Sequence, residues 1–115
     1  MNFKTIVNNI EYGGINLNDL LQPVKEKLSI TWNEQDDFIL GLIATAIDDI
    51  NTRSGFEFDY TSHGLHRVLM FEHVFYNREN QLNEFYRAYS PELMELSLRV
   101  AQEALALDGG GNAGP

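Results

Sequence analysis

The chain has 115 residues, with 8 Lys and Arg against 17 Asp and Glu, a formal net charge of −9 with histidines neutral. That length suits one domain rather than two separately cored ones. A composition 43% hydrophobic and 11% aromatic excludes wholesale disorder, and the acidic surplus argues against gripping nucleic-acid phosphates or an anionic membrane, which both call for clustered Lys and Arg.

Cysteine is absent, so there is no disulfide framework, thiolate nucleophile or Cys-type zinc site. This fits a reducing compartment, although secreted proteins also manage without cysteine. Residues 1–10 lack the apolar stretch of a signal peptide. The longest apolar run, Phe38 to Ile47, is broken by Gly41 and Thr45 and falls short of the roughly 20 residues a bilayer requires. A soluble protein is expected.

In chain order, residues 1–16 carry the pairs Asn8-Asn9 and Gly13-Gly14, both turn formers. Thr5–Val7 and Ile10–Tyr12 can form a small hairpin around Asn8-Asn9, with a flexible arm as the equal alternative. A first helix is predicted over about Asp19–Leu28 from Leu20, Leu21, Val24 and Leu28. Pro23, which favours a first turn, would shift its start to Gln22. Ser29–Trp32 reads as an extended link.

The second helix, Glu34–Ser54, is the clearest. Asn33 is its expected cap and Glu34, Asp36 and Asp37 suit its positive end. Ile39, Ile43, Ala46, Ile47 and Ile50 form the apolar stripe, widened by Phe38 and Leu42, and Gly55 suits the left-handed closing residue. Phe56–Tyr60 alternates, as a short strand or a loop laying two aromatics on the core. A third helix follows over roughly His63–Glu79, capped by Thr61 or Ser62, with the stripe Leu65, Val68, Leu69, Phe75 and Tyr76. A short helix through Leu82, Phe85 and Tyr86 comes next.

Ser90-Pro91-Glu92 reads as a helix start. The last helix then runs to about Leu107 with two apolar rows, Leu93/Leu96/Val100/Ala104/Leu107 and Met94/Leu98/Ala101/Leu105. These span more of the circumference than one small core needs, which points to packing against a second surface. Residues 108–115, rich in Gly, are expected to be a flexible tail. The expected fold class is therefore mainly all-α, a bundle of four to five helices over 17–107, between an N-terminal arm or hairpin (1–16) and that tail.

No constellation points to catalysis. His66 and His73 are seven residues apart, or about 10 Å along a helix, too far to share an ion held by bonds of about 2 Å. His63 and His66 lack a third ligand, and surface or interface roles are the expectation for all three. Asp36-Asp37 and Asp48-Asp49 read as helix charge and a solvated face, since Asp37 and Asp48 are about 16 Å apart in height. The Gly pairs stand in no phosphate-loop context and no serine in a nucleophile elbow. We expect no enzyme, no metal and no cofactor.

Tyr76, Phe85, Tyr86 and Tyr89, with Arg78 and Arg87, form an aromatic–arginine cluster of the kind enriched at interface centres. Two readings stand open: subunit contact, or Tyr76 and Phe85 in the core with the arginines paired to Glu79 and Glu84.

The series Leu20–Leu28, Ile30–Trp32, Phe38–Asn51 and Ser54–Phe58, followed by Val68–Arg78, Leu82, Phe85, Tyr89 and the Leu-rich helix from Glu92, resembles the small head–tail connector (adaptor, or head-completion) proteins of tailed bacteriophages and prophages. The resemblance covers about residues 17–107; residues 1–16 have no counterpart in it. It implies a structural virion protein at the head–tail interface, assembled in the bacterial host cytoplasm. Such a helical subunit forms a ring, typically dodecameric, beneath the portal protein. The ring extends the DNA channel without specific DNA binding and docks a downstream connector, stopper or tail-completion protein. By analogy Leu93, Met94, Leu98, Ala101 and Leu105 would contact the portal, and Tyr76, Arg78, Phe85, Tyr86, Arg87 and Tyr89 a neighbouring subunit. An acidic lumen repels DNA phosphates, which suits a channel. Two other readings are an acidic DNA-mimic inhibitor and a generic helical protein-interaction adaptor.

Overall fold

The centre of the molecule is the helix α2, Asp36–Ser54. Ile39, Leu40, Leu42, Ile43, Ala44, Ala46, Ile47 and Ile50 are all buried on it, more than one stripe, as befits a helix with neighbours on several sides. In the computed structural model, residues 3–6, 9–12 and 15–111 are described, with side-chain surroundings from 16 to 106. Around α2 pack α1, Asn18–Lys27, α3, Leu65–Arg78, and α4, Leu82–Gly111. The result is an all-α bundle of four helices.

Ahead of the bundle, β1 (Phe3–Ile6), β2 (Asn9–Tyr12) and β3 (Ile15–Asn16) pair as an antiparallel meander. Thr5 faces Ile10 and Ile6 faces Asn9 across the first pair, which puts Asn9 in β2 rather than in the turn expected around Asn8-Asn9. Val7 and Asn8, the Gly13-Gly14 pair and tail residues 112–115 lie outside the described residues.

Each helix end has a local cause. α1 and α3 both close in Schellman motifs built on a residue other than glycine. Ser29 (φ 61°) and Asn80 (φ 58°) are left-handed; Ile30 N–H donates to the Lys25 carbonyl at 2.8 Å and Gln81 N–H to that of Tyr76 at 2.8 Å. α2 ends on Gly55 as expected, at φ 75°, with its N–H 2.8 Å from the Asn51 carbonyl. That backbone conformation disfavours any residue with a Cβ.

The helix starts differ from expectation. Gln35, not Asn33, precedes α2. The Asn33 Oδ1 instead accepts from Lys25 Nζ at 2.6 Å, and Asp36 Oδ1 pairs with the same ammonium at 2.7 Å. Lys25 is buried, and these two oxygens compensate its charge. Gly64, not Thr61 or Ser62, precedes α3; Ser62 Oγ donates to the Asp59 carbonyl at 2.7 Å. α3 is also turned relative to the predicted stripe. Leu69, Met70, His73 and Val74 are buried, while Val68 and Phe75 are exposed. On α2, Phe38 is exposed rather than part of the stripe.

The largest difference is α4. Two helices separated at Ser90-Pro91 are instead one helix of 30 residues containing Pro91. Proline inside a helix removes one N–H and crowds the preceding turn. Here Phe85, Tyr86 and Tyr89 before it, and Leu93 and Leu96 after it, all pack on the same core, and that burial outweighs the missing bond. The helix also runs on through Gly111, into the segment expected to be tail.

Candidate functional site

Phe56–Tyr60 is a loop rather than a strand. Asn51 anchors it, its Oδ1 accepting from the Tyr60 hydroxyl at 2.7 Å and the Phe58 N–H at 3.4 Å. Tyr60 is wholly buried and Phe56 is exposed, so Phe58 and Tyr60 are the aromatics laid on the core. Burial pushes the Tyr60 hydroxyl pKa well up. His66 stacks on Phe58 with ring centroids 5.1 Å apart, and its Nε2 lies 2.9 Å from the Asp59 carbonyl oxygen.

One polar knot joins three helices. Asp49 of α2 accepts from His73 Nε2 of α3 at 2.9 Å and from the Tyr86 hydroxyl of α4 at 2.5 Å, both at Oδ2. Its Oδ1 accepts from Arg53 Nε at 2.9 Å. Burial raises the Asp49 pKa, but the bonds from His73, Tyr86 and Arg53 outweigh it and hold the carboxyl at about 2. Burial and the Asp49 carboxylate push the Tyr86 phenol up. The Arg53 guanidinium lies 4.3 Å from the centre of the Tyr86 ring. His73 is wholly buried, so it is a core residue and not the surface or interface histidine expected; its Nδ1 has no partner among the described residues. Asp49 is likewise not on a solvated face. A link between positions 24 residues apart leaves no local periodicity to read; only the Asp49–Arg53 spacing was visible.

The aromatic cluster forms the seam between α3 and α4. Phe85 lies 5.4 Å from Tyr89, 5.4 Å from Tyr86, 6.2 Å from Tyr76 and 5.0 Å from His73, ring centre to ring centre. Phe85 is 0% exposed, which removes it from the residues a neighbouring subunit can touch. Tyr76, Tyr86 and Tyr89 are half-buried against the same core. Arg78 and Arg87 pair locally, with Glu79 at 3.8 Å and Glu84 at 3.2 Å. The chain itself thus satisfies most of this cluster.

The second set of candidates stands apart. On α4, Leu96 is buried and Leu93 half-buried, but Met94, Leu98 and Leu105 are 60%, 52% and 70% exposed. Every residue from Ala101 to Ala106 is exposed. Beyond Val100 the helix leaves the body of the bundle, and Met94, Leu98, Ala101 and Leu105 line one side of it at helical spacing. Where it leaves, a groove of about 190 Å³ opens between Phe56, Phe58 and Leu65 on one wall and Leu96, Val100 and Glu103 on the other.

Among the described residues no three His, Asp or Glu side chains converge as metal ligands, and no helix is long and apolar enough to cross a membrane. No family model, curated protein or solved structure matches the chain.

Proposed function

We propose that this protein is a head–tail connector subunit of a tailed bacteriophage or prophage, a structural protein that assembles as a ring under the portal. The observation that carries the reading is the free end of α4, a helix presenting Met94, Leu98, Ala101 and Leu105 with nothing among the described residues to cover them. An apolar row of that kind on a projecting helix is suited to lying in a partner's groove, with residues three or four apart as anchors. The likeness of residues 17–107 to connector proteins supplies the partner, the portal protein, and the acidic balance of −9 suits a channel through which DNA slides without being held. The opposite face of the ring docks the next connector or tail-completion protein.

The test is electron microscopy of the protein mixed with portal rings from tailed bacteriophages. A ring of extra density at the portal mouth is expected, and Leu98→Asp with Leu105→Asp should abolish it. Failure of the unaltered protein to bind any portal assembly would overturn the reading.

A further inference from the structure

In a chain with more than twice as many acids as bases, few cations should lack a carboxylate. Lys25, Arg53, Arg78, Arg87 and Arg99 each have one. Among the residues with described side chains Lys27 and Arg67 do not, and both line one groove. It is about 450 Å³, opens between α1 and α3, and is lined by Pro23, Val68 and Phe71 with the charged Lys27, Arg67 and Glu26. Arg67 is held in place there, its Nη1 donating to the Tyr60 carbonyl at 2.7 Å and its guanidinium 4.9 Å from the Phe71 ring centre. Val68 is exposed within it. The groove sets apolar Pro23, Val68 and Phe71 beside two cations and one acid, a net positive receptor for something acidic and aromatic.

The same chain carries such a feature elsewhere. Trp32 and Phe38, at the entry to α2, are 44% and 56% exposed. Glu34 and Asp37 between them are exposed too, and form no ion pair among the described residues. Phe38 heads the stripe Phe38, Gly41, Thr45 and Thr52, which no other described helix covers. Aromatic anchors flanked by charge are the usual centre of a protein contact.

We propose that the edge Trp32–Phe38 of one copy seats in the α1–α3 groove of the next. Its two aromatic rings lie over Val68 and Phe71, Asp37 pairs with Lys27, and Glu34 pairs with Arg67. Edge and groove are different surfaces, so the contact is head-to-tail, as a ring requires, and α4 stays free for another partner. This rests on the ring reading above and names the faces that close it.

The test replaces Phe38 with the photo-crosslinker p-benzoylphenylalanine in the full chain. That chain is mixed with a ¹⁵N-labelled unmodified chain, in solution and on portal rings, and the adducts are mapped by mass spectrometry. Mixed-label adducts between residue 38 and the segment 64–71 are expected. Lys27→Glu in the receiving chain should cut them about tenfold, and Asp37→Lys in the donor should restore them. Val68→Asp, at an exposed position, should act like Lys27→Glu without disturbing the Arg67–Tyr60 bond.

Adducts to another segment, adducts indifferent to charge reversal, or adducts to a portal subunit in place of a second copy would overturn the pairing. Portal binding is scored separately. If it persists while the adducts map elsewhere, the connector reading stands and this contact falls. If the unmodified chain binds no portal, the connector reading falls and the solution adducts decide the contact, their absence overturning it.

Discussion

The two halves of α4 both carry apolar rows and have opposite surroundings. From Leu82 to Leu96 the helix lies on α2 and α3, with Phe85 and Leu96 buried. From Leu98 to Ala106 the aromatic rings give way to Leu, Val and Ala, and only Val100 is half-buried. The hydrophobic effect is non-directional and rewards whatever surface is available, so an apolar row does not by itself say which half is covered. What separates them is the length of α2 and α3, which give α4 a surface for only part of its run. The first half holds the fold together, and the second is apolar area that the fold leaves unused.

That contrast is sharpest in mutation. Phe85→Ala should cost about 3–5 kcal/mol, because it opens a cavity where four aromatic rings meet. Leu105→Ala in the other half should change stability by less than about 0.5 kcal/mol. Urea unfolding monitored by circular dichroism reads both, and a similar loss at the two positions would break the comparison.

The Asp49 knot comes next in size. Asp49→Ala strands His73 and Tyr86 without their acceptor, at a cost of about 1–3 kcal/mol. It also carries a pH signature. The folded carboxyl is held at about 2, below its ordinary value of 3.8. Its contribution is therefore complete above about pH 4 and disappears as pH falls through about 2. Asp49→Asn should flatten acid destabilisation across that window, measured by thermal unfolding at a series of pH values.

Tyr60 gives the reverse sign. Its hydroxyl is raised above 10.0 by burial, so the neutral phenol stabilises the fold below about pH 10 and that contribution is lost as pH rises further. Tyr60→Phe should lose about 1 kcal/mol at neutral pH through the missing bond to Asn51, and should unfold less steeply in alkali. Leu98→Asp, on the same exposed row as Leu105, should also change stability by no more than about 0.5 kcal/mol. If portal binding survives that change, the unused half of α4 is not the contact.

The helical class of the chain was legible because helices leave periodic traces, and Gly55 marked the end of α2 by the one backbone conformation that glycine favours. Partner-dependent features were less legible. Ser90-Pro91 carries the local signal of a helix start, and only the shared burial of Phe85, Tyr89, Leu93 and Leu96 keeps the helix running through it. Phe38 continues the α2 stripe by spacing yet is exposed, because exposure depends on which neighbours arrive. Asp49 looked like one of many surface acids until the fold brought His73 and Tyr86 to it. The exposed row on α4 was the part of the candidate site that periodicity revealed, since an apolar circumference wider than its support leaves a surplus.

The free end of α4 is also small. Four apolar side chains, one of them alanine, bury too little surface to offset by a wide margin the lost freedom of a single protein on binding. Arranged on a ring, the same short rods would engage together, and after the first attaches the others act at high effective concentration. Avidity of this kind would make attachment steeply dependent on how many copies are present: a stray subunit would let go, and a complete set would stay.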